Sequence, residues 1–154
     1  MHVYLIRHAH AVDAEEDPER PLSKRGQEQV RTLAIFLKPS GAFRPVEIWH
    51  SSLVRSRQTA EQLVQRLRLD ASLLLMPDLE SDADPRAVAR RIKAVTHPIA
   101  IVGHEPHLSA LATLLVVGKT EPPTFAMKKC AALALEGVES YWMVRWHVSP
   151  EVLG

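Results

Sequence analysis

Apolar residues recur along this chain in two periods, and the switches between them cut it into short blocks. Residues 2–7 (HVYLIR) are β-branched and aromatic and predict a buried strand. Residues 8–23 carry acids and two prolines and read as a loop. Residues 24–38 put Val30, Leu33, Ala34 and Leu37 on one helical stripe, with Ser23 as its cap. Pro39, Gly41 and Pro45 then end that helix. A second strand follows at 46–50 and a helix at 53–68, started by Ser51 or Ser52. Residues 72–76 (SLLLM) are a third strand, 86–95 a helix, and 98–103 (PIAIVG) a fourth strand. The helix at 106–117 is apolar nearly all round, which predicts burial, and Pro106 suits its first turn. Residues 129–136 and 141–148 read as a closing hairpin across Gly137.

Strands alternating with helices predict an α/β fold: a mainly parallel sheet covered on both faces. Such sheets bind ligands at the carboxyl ends of their strands. Arg7-His8 ends the first strand, Ser51 and Arg55 follow the second, and Gly103-His104 ends the fourth. Those groups are expected to meet at one edge.

Composition narrows the function classes. The 154 residues suit one domain over 1–154, and 46% hydrophobic against 24% charged residues is a globular balance. A net charge of +1 argues against a broad nucleic-acid or membrane face, so any positive field must be local. The lone Cys130 allows no internal disulfide and reads as a small buried residue. The run Leu108–Val117 is interrupted by Ser109 and Thr113 and is too short to cross a bilayer. Val3–Ile6 is too short for a signal core, so a cytoplasmic location is expected.

Two histidines and two arginines at one sheet edge suit phosphoryl chemistry. Guanidinium forks match phosphate oxygens and stay charged. A neutral imidazole is a competent nucleophile toward phosphorus, and flanking cations offset the charge of the transferring group. No glycine-rich phosphate loop is present, so no nucleotide is implied.

The stretches LIRHAHA, RPLSKRG (20–26), SSLVRSRQTAE (51–61) and VGHEPHLS (102–109), in that order and spacing, resemble the histidine phosphatase superfamily. They are most similar to its small members, phosphohistidine phosphatases of the SixA type. The resemblance covers nearly the whole chain. It implies a phosphoglycerate-mutase-like, three-layer α/β/α fold: a mixed six-stranded sheet with one antiparallel strand and helices on both faces. It also implies that His8 is the nucleophile that becomes phosphorylated, and that Arg7, Arg55 and His104 bind the phosphoryl group. The residue after the nucleophile, usually glycine in the family, is Ala9. Larger relatives carry a glutamate general acid after the third strand, in a Leu-x-Glu pattern. Leu79-Glu80-Ser81 places the acid one position early, and Asp78, Glu80 and Asp82 all stand as candidates.

The stretch 77–85 leaves no room for the helical cap insertion that covers the pocket in mutases and sugar phosphatases of the family. An uncapped site surrounds a small ligand poorly but admits a phosphorylated side chain on a partner protein. Phosphohistidine also expels an imidazole, which needs less help from an acid than an alkoxide does. The expected function is therefore removal of phosphate from phosphohistidine on a protein, releasing inorganic phosphate with no metal or organic cofactor. The alternatives are a small-molecule phosphomonoester phosphatase, a phosphoprotein binder without turnover, and a zinc hydrolase built from His8, His10, Asp13, His104 and His107. The positive charges of Arg7 and Arg55 disfavour the last. His10, His50, His97 and His147 read as structural or surface groups, and His107 as helix surface or pocket rim. Lys128 and Lys129 read as solvated, and Gly26 as a helix defect unless it marks a close approach.

Overall fold

A computed structural model describes residues 1–153. The elements in chain order are β1 (His2–Arg7), α1 (Lys24–Ser40), β2 (Glu47–His50), α2 (Val54–Leu67), β3 (Ser72–Leu75), α3 (Pro85–Lys93), β4 (Ile99–Gly103), α4 (His107–Val117), β5 (Ala132–Val138), β6 (Tyr141–Val148) and α5 (Pro150–Leu153). The six strands form one mixed sheet in the order β3-β2-β4-β1-β5-β6. β3, β2, β4 and β1 are mutually parallel, whereas β5 runs antiparallel to both β1 and β6. β5 is thus the single antiparallel strand of the expected arrangement.

The sheet is central because its middle strands are apolar on both faces. Val3 and Leu5 of β1, with Ile99 and Ile101 of β4, pack against Val88 and Ile92 of α3 and Leu108 and Leu111 of α4. The intervening Tyr4, Ile6, Ala100 and Val102 pack on the other face against Val30, Leu33 and Leu37 of α1 and Leu63 of α2. This period-2 division between two helical layers is the α/β/α sandwich. Nine residues link β3 to α3 without a helix. Leu79, fully buried in the first of these cores, anchors the connection, and Asp84 caps α3 by accepting from the Arg86 amide at 3.0 Å.

Several boundaries differ from the sequence expectation for local reasons. α1 runs through Pro39 to Ser40 and stops at Gly41, whose φ is 63°. In the last turn proline forfeits one hydrogen bond, and the left-handed glycine terminates the helix. α2 has Leu53 at its N-cap position with no side-chain cap, not Ser51 or Ser52. β5 extends through Gly137 to Val138, and the hairpin turns at Glu139-Ser140, with φ of Glu139 at 57°. Gly137 lies within the strand because Trp142 packs over it: a Cβ there would sit 3.1 Å from ring carbons. Residues 129–131 precede the strand, and Cys130 is buried with a left-handed φ of 61°. α5 had no counterpart in the periodic pattern; four residues are too few to register one.

Candidate active site

β2, β4 and β1 lie side by side and end together, with Arg7 in register with Gly103 and His50 with Val102. The Arg7-His8 backbone stays hydrogen-bonded on both flanks after β1 stops pairing as a strand. The Arg7 amide donates to the Ala131 carbonyl at 3.1 Å, the His8 amide to the Gly103 carbonyl at 3.0 Å, and the Cys130 amide to the Arg7 carbonyl at 3.0 Å. His8 therefore projects from a backbone fixed by its two neighbouring segments.

The His8 ring is buried, and its Nδ1 lies 2.7 Å from the carbonyl oxygen of Ala9. A carbonyl only accepts, so Nδ1 carries the hydrogen. In the neutral ring the lone pair is then on Nε2. Burial, followed by His104, Arg55 and Arg7, pushes the His8 pKa down to about 3 against the hydrogen bond to Ala9, so the ring is neutral at any ordinary pH. His104 lies with its ring centroid 5.1 Å from that of His8. It is held by Ser51, whose Oγ is 2.6 Å from its Nε2. Burial first, then Arg55, His107 and Arg7, lower its pKa to about 4. Arg7 directs one terminal nitrogen to the Met127 carbonyl at 3.1 Å and leaves its buried Nε without a protein partner. Burial, then Arg20, lowers the pKa of Arg55. Arg7, His8, Arg55 and His104 thus share one small region in which both imidazoles are neutral and both guanidiniums charged.

Thr59 explains why α2 is built as it is. Its Oγ1 donates to the Arg55 carbonyl at 2.8 Å and accepts the Ala9 amide at 3.0 Å. One hydroxyl thereby ties the residue after His8 to the helical turn that carries Arg55. Ser56 does the same for β2, accepting the Ser51 amide at 3.0 Å and donating to the Val102 carbonyl at 2.9 Å. Ser51 is not a helix cap; its hydroxyl is occupied by His104 and by the Leu53 amide at 3.2 Å.

The model of the "histidine phosphatase superfamily (branch 1)" matches residues 3–80, half the chain. The chain belongs to the histidine phosphatase superfamily. It is 30% identical to the phosphohistidine phosphatase SixA of Escherichia coli (strain K12), over 97% of this chain and 94% of that one. Its fold matches the structure of the protein histidine phosphatase SixA complexed with tungstate at a TM-score of 0.86, with 26% identity and all of both chains covered. The SixA structure from Agrobacterium tumefaciens matches at 0.80, with 22% identity and 97% of each chain covered, a likeness of fold alone.

In this histidine phosphatase the candidate acids separate. Asp78 is paired with Arg91 at 2.8 Å, and Asp82 is exposed. Glu80 is half-buried and is the carboxylate that acts most strongly on His107. His107 is not on the surface: it is 2% exposed, with neither ring nitrogen hydrogen-bonded, and its pKa is lowered by burial against the pull of Glu80, Asp78 and Asp84. His10 turns away from His8 to Ser23, Nδ1 to Oγ at 2.6 Å, and its amide donates to Gln29 Oε1 at 2.8 Å. Among the described residues, no three His, Cys, Asp or Glu side chains gather as a metal-binding group, and no helix is long and apolar enough to cross a membrane. Lys129, expected to be solvated, is half-buried, while Lys128 is exposed.

Thr59, Ser56 and the Met127 carbonyl were not anticipated. Only the spacing of Arg55 from Thr59, one helical turn, signals the first.

Proposed function

We propose that this protein is a phosphatase that works through a phosphorylated His8 and removes phosphate from phosphohistidine on a partner protein. The observation that carries this is the His8 ring itself: neutral, with Nδ1–H bound to the Ala9 carbonyl and Nε2 free to attack, beside two guanidiniums. His8 Nε2 attacks phosphorus in line, and the bond from phosphorus to the substrate imidazole breaks. The leaving nitrogen takes a proton from Glu80 or from solvent water. Arg7, Arg55 and His104 hold the non-bridging oxygens. Water then attacks phospho-His8, releasing inorganic phosphate and restoring the neutral ring.

Two features favour a protein substrate over a small ester. The short β3–α3 connection leaves the mouth of the site without a helical cover. The likeness to SixA, a phosphohistidine phosphatase by name, extends over nearly the full length of both chains. Of the three candidate acids, Glu80 is the one left to assist a leaving group, because Asp78 is engaged by Arg91 and Asp82 faces solvent.

The test is to trap the phosphoenzyme with a phosphoramidate donor and map the modified residue. Label is expected on His8, and His8→Ala should lose both label and turnover while unfolding like the wild type. Normal turnover by His8→Ala, or label elsewhere, would overturn the assignment. A preference for sugar phosphates over a phosphohistidine peptide would leave the nucleophile intact but transfer the enzyme to small-molecule chemistry.

A further inference from the structure

The net charge of +1 conceals a strongly uneven distribution. Arg7, Arg25, Lys128 and Lys129 line one groove beside the candidate site, and Arg20 and Arg55 lie near enough to act on Lys129. Lys129, half-buried, has its pKa lowered by burial and then by Arg7, Arg20, Arg25 and Arg55 together. Elsewhere five arginines are ion-paired: Arg31 with Glu28, Arg57 with Glu61, Arg86 with Asp84, Arg91 with Asp78 and Arg145 with Glu136. Among the described residues, none of the six around the site has a carboxylate within ion-pair distance. The acidic loop Asp13–Glu19 lies close in sequence but supplies no such partner.

One transferring phosphoryl group does not need six cations. Arg7 and Arg55 suffice to offset its charge. The other four add positive charge beyond that need, and an anionic surface brought against them lowers their mutual repulsion. Arg20, with a left-handed φ of 52°, is pinned by its Nε to the Val12 carbonyl at 3.1 Å. Lys128 and Lys129 precede Cys130, whose amide bonds to Arg7. A groove of about 450 Å³ leads away from Arg7, flanked near it by Arg25, Lys128 and Lys129 and bordered also by Glu28 and Glu151.

We propose that this basic rim is the docking surface for a partner protein whose phosphorylated side chain is flanked by acidic residues. The proposal rests on the phosphatase function above and names what that site recognises besides phosphate. Complementary charge of this kind speeds encounter and rejects partners with basic flanks.

The test uses two histidine-phosphorylated peptides that differ only in flanking residues, Asp/Glu in one and Lys in the other. Wild-type protein is compared with Arg25→Glu/Lys128→Glu, both exposed positions outside the catalytic group. Wild type should prefer the acidic peptide by about tenfold in kcat/KM, mostly through KM, and the preference should shrink as salt is added. The double variant should abolish or reverse the preference while turning over phosphoramidate within about twofold of wild type. Equal kcat/KM for the two peptides, or a preference the double variant keeps, overturns the proposal. So does a rim that discriminates only bisphosphate from monophosphate esters, which would assign the charge to a second anion on a small molecule. Binding of the unphosphorylated acidic peptide to His8→Ala, followed by anisotropy, separates the two layers. Salt-sensitive binding that Arg25→Glu/Lys128→Glu removes upholds the rim even if wild type fails to turn over phosphoramidate; no such binding sinks the rim whatever the chemistry.

Discussion

Gly26 stands in the first turn of α1, where helix propensity alone says that alanine is better by about 1 kcal/mol. The structure reverses that sign. A Cβ at Gly26 would run into the carbonyl oxygen of His10 and lie 3.0 Å from its carbon. That carbonyl cannot swing aside freely, because it accepts the Ser23 amide at 3.1 Å and the Ser23 hydroxyl at 3.3 Å, the same hydroxyl that caps α1 by accepting the Gly26 amide at 3.0 Å. Overpacking against backbone costs about 1–3 kcal/mol, and weakening one of these hydrogen bonds about 1 kcal/mol more. After the propensity gain, Gly26→Ala should lose about 1–3 kcal/mol, which lowers Tm by about 2–10 °C for a chain of this size. Because His10 lies two residues from His8, turnover of phosphoramidate should fall as well. Thermal and urea unfolding at neutral pH, followed by circular dichroism, measure the first effect and steady-state kinetics the second. A Gly26→Ala protein more stable than wild type would refute the close approach and leave only propensity.

Ser51→Ala should leave His104 Nε2 buried without its partner, costing about 1–3 kcal/mol in urea unfolding and lowering turnover while His8 still labels; unchanged kinetics would remove Ser51 from the site. His8 and His104 have folded pKa values of about 3 and about 4 against 6.5 unfolded, so the unfolded chain binds more protons between those limits. Their contribution to stability is therefore complete above pH 6.5 and lost as pH falls from 6.5 toward about 4 for His104 and about 3 for His8, by at most about 1.4 kcal/mol per pH unit for each ring; a flat stability curve across that window would contradict neutral buried rings. Glu80→Gln should slow phosphate esters with poor leaving groups far more than phosphoramidates, whereas Asp78→Asn, which breaks a partly exposed pair with Arg91, should cost under about 1 kcal/mol and leave turnover intact. Equal effects of Glu80→Gln on both substrate types would argue against proton donation by Glu80.

Much of the fold was legible because burial on both faces of a parallel sheet leaves a direct mark. β1 and β4 are apolar at nearly every position, and the helices between strands carry one-sided stripes. What escaped was set by contacts distant in sequence. Gly137 looks like a turn residue until Trp142 is known to lie over it. Pro39 looks like a stop, although one missing amide in a last turn is a small loss when Gly41 supplies the termination. His107 looks exposed at a helix start but is buried, and the segment 76–84, whose acids lie near enough to act on it, has no periodicity from which its path could be traced.

The site divides along the same line. Its four central residues were legible because each sits at a strand end or one turn into a helix, and a parallel sheet brings such ends together without further instruction. The bonds that hold them were not, because each joins a hydroxyl to a residue far off in sequence: Thr59 to Ala9, Ser56 to Val102, and Ser51, expected at that edge but read as a helix cap, to His104. Serine and threonine have too many ordinary uses for type alone to mark them. Yet these bonds determine what Ala9 means. Ala9 is fully buried, its amide is taken by Thr59 and its carbonyl by His8 Nδ1–H. Both of its roles are played by backbone atoms that alanine and glycine share. The side-chain methyl lies in the core formed with α1 and α2, where it adds packing. Replacing the usual glycine therefore leaves the tautomer of His8 as the proposed chemistry requires, with the hydrogen on Nδ1 and the lone pair on Nε2.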